Sequence, residues 1–378
     1  MPLPHCLWNR REFYMEKLYV DLGENSYDIK FTSGFSQLPQ SLAEIGAPQK
    51  ILIVTDTNVQ RLYADEVRKI LSDNGYNVSV YAFEAGEQNK SMDSILKICA
   101  ACMRFKMDRN SMIAALGGGV TGDMAGFAAA IYMRGIRFIQ IPTTLLAQSD
   151  SSVGGKTGID FDGGKNILGA FHQPKLVYIN VNTLKTLPER EFISGMGEVI
   201  KHCIIRDAEF FDYLDENYEK IKSLDSETLI YTAKTNCKIK ADVVMNDERE
   251  TGLRAILNFG HTIGHAVESA YNFTKTHGEC VGIGMIGAAH IALGRGIITK
   301  RFFAEIEEIL KKYGFNIHVK LPDNDTVWSL MQKDKKKLDG KLKFVLPTGK
   351  GRVIQTTDVS RGEIIRALGY IRSGSTED

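Results

Sequence analysis

The sequence has little of several things that mark specialised proteins. Charge of one sign is missing: 47 Lys and Arg against 46 Asp and Glu leave a net +1. No global field therefore draws the chain to nucleic acid or to an anionic membrane. Cysteine is sparse, with six (Cys6, Cys99, Cys102, Cys203, Cys237, Cys280) in 378 residues. That spread makes no disulfide framework and suits a reduced, cytoplasmic protein. The one C-x-x-C, Cys99 to Cys102, lies in the amphipathic run SILKICAACMRF with no second pair and no nearby histidine. A helix face is expected there rather than a zinc or redox site. No basic segment with an apolar core opens the chain, so no secretory signal is expected. The most apolar long stretch, Val281 to Ile298, contains His290 and Arg295 and much Gly and Ala, which fits a buried helix better than a membrane span. Repeats and low-complexity segments are absent, and an apolar content of 43% with 25% charged residues excludes disordered and fibrous classes.

What is present is length and alternation. The chain is long enough for two domains. Residues 1–14 show no sustained period and read as a flexible extension, with Met15 an alternative start. From Lys17 to Asn180, β-rich runs (KLYVDL, KILIVTD, NVSVYAF, SMIAAL, RFIQIP, LVYIN) alternate with helical ones, the signature of a parallel sheet flanked by helices. Beyond Asn182 the runs lengthen and take helical period, as in KRFFAEIEEILKKYGF. The expected fold class is α/β, a Rossmann-like parallel-sheet domain (15–181) followed by a mostly helical domain (182–378), the two meeting near Pro188.

Chemistry-bearing residues concentrate in four places. Leu116-Gly-Gly-Gly-Val-Thr-Gly-Asp123 follows an apolar strand and precedes a small-residue helical run. Glycines there let backbone N–H groups approach a pyrophosphate at a helix N-terminus, although the spacing is not G-x-G-x-x-G. The segment from Pro142 to Gly158, then Gly164-Lys165-Asn166, reads as a polar loop whose two lysines, Lys156 and Lys165, suit a phosphorylated ligand. It is not a P-loop. Glu198 and Lys201 in GEVIKH share a helix face, where a surface ion pair is the ordinary reading. Asn258-Phe-Gly-His261-Thr-Ile-Gly-His265 and Thr276-His277-Gly-Glu279 then gather three of the eight histidines. By spacing, His261 and His265 pair as metal ligands, with a carboxylate and His277 competing for the remaining places. The charged segment Lys238 to Arg254 before them is either an exposed turn or a ligand-binding stretch.

Taken together, GGGVTGDMAGFAAAIYMRGIRFIQIPTTLLAQSDSSVGGKTGID, GKNILGAFHQP, TLPERE, GEVIKH, DERETGLRAILNFGHTIGHAVE, HGECVGIGM and DKK resemble, in order and spacing, the 3-dehydroquinate synthase family of the sugar phosphate cyclase superfamily. The resemblance runs from about Leu18 to Tyr370. It implies that Glu198, His261 and His277 are ligands of a zinc or cobalt ion and that His265 faces substrate as a catalytic histidine. It implies substrate-site roles for Arg134, Asp150, Lys156, Asn166, Lys201, Lys240, Glu250, Arg254, Asn258 and one of Lys335 and Lys336, with Lys336 favoured. NAD-binding positions fall on Asp56, Asn58, Glu87, Lys90, Gly118, Gly119, Asp123, Thr143, Thr144, Lys165, Thr183 and Thr186. Ser149, Asn180, Gly197 and Cys280 depart from the usual pattern without removing any of these.

The reaction implied is conversion of 3-deoxy-D-arabino-heptulosonate 7-phosphate to 3-dehydroquinate and phosphate, in the shikimate pathway. Its stages are transient oxidation by NAD, phosphate elimination, reduction, ring opening and aldol closure. The implied partners are an anionic sugar phosphate and a second copy of the chain, with no nucleic acid and no membrane. The alternatives are a 2-deoxy-scyllo-inosose or valiolone-type synthase, or a metal-dependent polyol dehydrogenase. Arg254, Asn258 and the DKK lysines, suited to a carboxylate, argue against the first two, and the lysine-rich loop around Lys156 argues against the last.

Overall fold

The computed structural model describes residues 15–162, 164–248, 252–335 and 342–373. Its centre is a seven-stranded sheet in the order β1-β2-β9-β6-β5-β3-β4. The strands are β1 (Glu16–Val20), β2 (Tyr27–Thr32), β3 (Lys50–Asp56), β4 (Asn77–Phe83), β5 (Met112–Gly117), β6 (Arg137–Pro142) and β9 (Leu176–Asn180). All neighbours pair in parallel except β1 with β2. Strands covered on both faces read as continuous apolar runs. Each nonetheless feeds its side chains alternately to two layers. Leu52 and Val54 of β3 join Ile113 and Ala115 of β5 on one face. Ile51 and Ile53 join Met112, Ala114 and Leu116 on the other.

The six sequence-expected strands are present, and β2 is an addition. Its residues YDIKFT bury Lys30, which leaves the apolar run broken by a charge and hides the strand from a pattern reading. The segment read as a polar loop also differs. Lys156–Phe161 (β7) and Gly164–Phe171 (β8) form an antiparallel hairpin of their own. Gly158 and Gly169 face each other across it, and a Cβ on Gly169 would meet the Thr157 carbonyl at 2.1 Å. The hairpin's strand character rests on that close approach rather than on side-chain propensity.

The second half is mostly helical, as expected, apart from a hairpin of β10 (Phe344–Gly349) and β11 (Arg352–Thr356). Its helices share one apolar cluster with the β1-β2-β9 edge of the sheet: Val20, Ile29, Phe31, Val177 and Ile179 pack with Met196, Val199, Ile200 and Cys203. The last strand ends at Asn180 and the first long helix starts at Glu189, so the chain crosses this shared core within a few residues. The Val281 stretch is a buried helix, His277–Gly294. Among the described residues no helix is long and apolar enough to cross a membrane. Cys99 and Cys102 lie on the helix Met92–Arg104 as free thiols, and burial pushes the Cys102 thiol up to about 12. A thiol held protonated at neutral pH is neither a ready nucleophile nor a ready ligand.

Candidate active site

Three helices bring the histidines to a buried carboxylate. Glu189–Arg206 carries Glu198, His261–Ala270 carries His261 and His265, and His277–Gly294 begins with His277. They approach closely because glycines stand at the crossings. A Cβ on Gly278 would meet the Ser194 carbonyl oxygen at 1.8 Å, and one on Gly284 would meet the Gly260 carbonyl oxygen at 1.8 Å. Larger residues would hold the helices apart. The His277 helix is fixed at its start by a capping box, Thr276 and Glu279 bonding reciprocally.

Glu198, His261 and His277 offer ligand atoms all within 4.8 Å of one another. Glu198 Oε1 lies 3.7 Å from His261 Nε2 and 3.5 Å from His277 Nε2. That oxygen is buried and has no hydrogen-bond partner. A buried carboxylate oxygen facing two imidazole nitrogens with no donor is the arrangement a cation completes. His261 Nδ1 is 3.1 Å from the Phe259 carbonyl, which accepts a hydrogen bond from a protonated Nδ1 and leaves Nε2 as the lone-pair nitrogen. His265 stays beside this group, its ring 5.3 Å from that of His261 and 6.0 Å from that of His277.

Around these atoms the helices bury charge. Lys201 is not at the surface; it pairs with Glu198, both fully enclosed. Burial would raise the Glu198 carboxyl, but Lys201 and the two histidines hold it well below the usual range. Lys240, on the helix Ser226–Asn246, donates to Asp150 Oδ1 at 2.7 Å and to its carbonyl at 2.6 Å. Against its burial, Lys240 and Lys201 hold the Asp150 carboxyl at about 2. Arg254 is buried, its NH1 donating to the Glu248 carbonyl at 2.6 Å, while Asp247 accepts its backbone N–H at 2.9 Å. Of the two readings left open for the 238–254 segment, the exposed turn thus fails for Lys240, Asp247 and Arg254, while Lys238 is exposed but lies within the helix.

The glycine turn is where the sequence puts it. β5 ends at Gly117, and the helix Gly119–Ile131 starts two residues later. Cβ atoms on Gly118 and Gly119 would meet Thr144 and Ser151 side chains at 3.1 Å, so the turn is closely lined. Asp56 caps the next turn, Oδ1 accepting from Asn58 N and Val59 N at 2.9 and 3.0 Å. Its Oδ2 accepts from Thr121 Oγ1 at 3.3 Å. Lys90 reaches Asp123 Oδ2 at 2.7 Å and Asn166 Oδ1 at 2.5 Å. Burial outweighs Lys90 and raises the Asp123 carboxyl to about 6. Glu87 stands 3.9 Å from the same ammonium. Thr143 Oγ1 is buried without a partner, Thr144 Oγ1 accepts from Ala147 N, Thr183 bonds Gln148, and Thr186 meets Tyr63.

Not every expected residue joins this assembly. Arg134 sits beyond the far end of the 13-residue helix that starts at the glycine turn, about 20 Å along its axis, and is exposed. Lys156 and Asn258 are exposed at the ends of their elements. Glu250 and Lys336 lie outside the described residues, as does the side chain of Lys335. Two groups were missed. His202 is fully buried, with Nδ1 2.9 Å from Asn236 Oδ1 and Nε2 3.7 Å from Asp150 Oδ1. Glu268 faces His277 Nδ1 at 3.8 Å. Spacing could have found both: His202 is four residues after Glu198, and Glu268 seven after His261 on the same helical face.

Family models described as 3-dehydroquinate synthase N-terminal and C-terminal match residues 80–194 and 195–337. The chain belongs to the 3-dehydroquinate synthase family. A 3-dehydroquinate synthase of Acetivibrio thermocellus is 52% identical over 91% of this chain and 96% of its own length. Another, from Ruminiclostridium cellulolyticum, is 49% identical over 92% and 97%. Among solved structures, the 2-epi-5-epi-valiolone synthase of Streptomyces hygroscopicus, with NAD+ and Zn2+ bound, superposes with a TM-score of 0.85 at 28% identity, covering 93% of this chain and 98% of that one. A 2-deoxy-scyllo-inosose synthase with carbaglucose-6-phosphate, NAD+ and Co2+ gives 0.82 at 27%, covering 94% and 99%. The 3-dehydroquinate synthase family thus shares its two-domain α/β architecture with other sugar phosphate cyclases. A probable glycerol dehydrogenase of Sinorhizobium meliloti, at 15% identity, a TM-score of 0.60 and coverage of 90% and 95%, shares the fold alone.

Proposed function

We propose that the chain is a 3-dehydroquinate synthase, a carbon–oxygen lyase that turns 3-deoxy-D-arabino-heptulosonate 7-phosphate into 3-dehydroquinate and phosphate. The observation that carries the reading is the unpartnered Glu198 Oε1 facing His261 and His277, with Lys201, Lys240 and Arg254 buried around it. Glu198, His261 and His277 would hold one divalent ion, zinc or cobalt, a borderline cation that suits two imidazoles and a carboxylate. NAD would lie over the glycine turn, with Gly118, Gly119, Asp56, Asn58, Glu87, Lys90, Asp123, Thr143, Thr144, Lys165, Thr183 and Thr186 as its positions. The ion supplies Lewis acidity toward the substrate hydroxyl, and NAD a transient hydride acceptor.

The chain's own groups do the rest. Arg254 offers a planar fork to the substrate carboxylate, with Asn258 beside it, and Lys240, Lys201, Lys156 and Asn166 hold a dianionic phosphate. Asp150 fixes Lys240 so that the ammonium is aimed before substrate arrives. His265 is placed to move a proton between the substrate carbon and the departing phosphate oxygen. Burial of Lys201, Lys240 and Arg254 excludes water from their side of the site while the phosphate leaves. Residues 15–181 form the nucleotide part and 182–378 the metal and substrate part. The working form is a cytoplasmic homodimer, in which Arg134, exposed and remote from its own cluster, is offered to a second copy.

A phosphate-release assay tests the reading. Heptulosonate phosphate should be turned over, while sedoheptulose and glucose phosphates, which lack the carboxylate, should not. Turnover of a carboxylate-free sugar phosphate with none of the heptulosonate would move the chain to the valiolone or inosose branch. Net release of NADH would move it to a dehydrogenase.

A further inference from the structure

Lys165 is not directed at the glycine turn in this structure. Its Nζ donates to Glu268 Oε1 at 2.8 Å, bridging 103 residues of sequence, and stands 4.5 Å from the centre of the Phe273 ring. Both partners belong to the C-terminal end of the His261 helix and the turn after it. The β7–β8 hairpin is thereby tied to the helical half through one lysine with two attachments. Glu268 is enclosed, with 7% of its side chain exposed, and its second oxygen faces His277 Nδ1 at 3.8 Å. The His277 ring is therefore bracketed, Nε2 toward the orphaned Glu198 oxygen and Nδ1 toward Glu268.

A neutral imidazole presents a lone pair on one nitrogen only, and the partner of the other nitrogen decides which. Phe259 performs this service for His261. For His277 the group at Nδ1 is the Glu268 carboxylate. Outer carboxylates of this kind fix ring orientation and raise ligand basicity. His265, Glu268 and His277 also lie within 4.8 Å of one another. Glu268, however, already has a cation on Oε1, whereas Glu198 Oε1 has nothing. The ion therefore belongs with Glu198.

We propose that Glu268 is a positioning residue for the metal ion, holding the Nδ1 side of His277 so that Nε2 faces Glu198 and His261, and that Lys165 clamps Glu268 from the hairpin. Hairpin docking and ion retention are then one coupled unit. The inference rests on the reading of Glu198, His261 and His277 as ligands, and gives Lys165 a task in addition to its proposed NAD position.

Zinc affinity of the full chain, measured by competition with a chromophoric chelator, tests it. Glu268→Ala should bind zinc about 10–100-fold more weakly. Glu268→Gln, which keeps an acceptor but not the charge, should fall between it and the wild type. Lys165→Met should show a smaller loss, and adding it to Glu268→Ala should cost nothing further, because it acts through Glu268. Cobalt-loaded Glu268→Gln should keep the wild-type visible absorption spectrum. A spectrum showing a lost ligand would make Glu268 a ligand and overturn the proposal. So would zinc affinities unchanged in Glu268→Ala, or a Lys165→Met protein that holds zinc as tightly as the wild type. If Glu268→Ala fails to fold, Lys165→Met, at a side chain 40% exposed, decides by the same zinc measurement. A wild-type chain that binds no stoichiometric zinc would instead sink the ligand assignment itself, a distinguishable result.

Discussion

The sheet and the helical half solve opposite problems. The central strands β3, β5 and β6 bury mostly apolar side chains and deliver a backbone turn, Gly117 to Gly119, at the carboxyl end of β5. The helices bury Glu198, Lys201, His202, Lys240, Arg254 and Glu268, a density of charge that no apolar core tolerates unless the groups pair or coordinate. Lys30 and Lys90, each set against a carboxylate, are the sheet half's counterparts. The difference shows where each half is sensitive. The sheet can lose a contact and remain a scaffold, while the helical half loses its purpose when one ionic partner goes.

The sharpest way to break this contrast is His277→Ala. Losing the ion should remove several kcal/mol of stabilisation, roughly a thousand-fold or more in turnover, and no transient NADH absorbance should appear on mixing with substrate. NAD binding, followed by fluorescence, should survive because most of its positions lie on the sheet half. Loss of both together would show that the halves are not separable in this way.

Arg254→Ala comes next. A charge-assisted pair in a buried site is worth about 1.5–3 kcal/mol, so kcat/KM for the heptulosonate phosphate should fall about 10–150-fold. Wild-type kinetics in this variant would remove the carboxylate from the Arg254 site.

Two glycines sharpen the comparison further. Gly278→Ala drives a methyl into the Ser194 carbonyl, a backbone atom that cannot rotate away. It should cost about 1–3 kcal/mol in a denaturant melt and weaken zinc binding, because the Glu198 and His277 helices must separate. Gly118→Ala meets only the Thr144 side chain, at 3.1 Å, and its φ of −77° is ordinary for alanine. Its stability should change by less than about 1 kcal/mol, with the damage appearing as a raised KM for NAD. Equal melting losses would mean the turn is as rigidly packed as the helix crossing.

The smallest effect is expected far from the site. Arg295 bonds Glu363 and holds its carboxyl at about 2, below the ordinary 4.5. A depressed carboxyl stabilises the fold above its unfolded pKa, and that stability is lost as pH falls from about 4.5 toward 2. Glu363→Gln should therefore cost about 1 kcal/mol at pH 7 and nothing near pH 2, read as converging acid melting curves. A constant difference across that range would remove the ionic account.

What was legible depended on whether a signal was local. Four of the six readable strands, β3, β5, β6 and β9, were legible because a buried parallel strand must be a run of apolar β-formers. β2 was not, because Lys30 interrupts it, and the fully buried lysine is explained only by its pairing with Glu44 on the helix Leu38–Glu44. The β7–β8 hairpin looked like a loop because its apolar residues are few and interrupted by Gly, Lys, Asn and Asp, as in KTGIDF and GKNILGAF. Lys201 looked like half of a surface pair, since spacing puts it beside Glu198 without saying which face of the helix is buried.

By itself the sequence determined which chemistry was available: histidines, carboxylates and lysines at helical spacings, a glycine turn after a strand, and motifs long enough to resemble one family. These follow from short-range periodicity, which the backbone imposes on neighbouring residues. Only the tertiary structure decided how the pieces met. It left Glu198 Oε1 without a partner, set Lys165 against Glu268 across 103 residues, and kept Arg134 away from its own cluster. Those outcomes depend on how closely three glycine-lined helices approach one another and the sheet, a distance that no local pattern encodes.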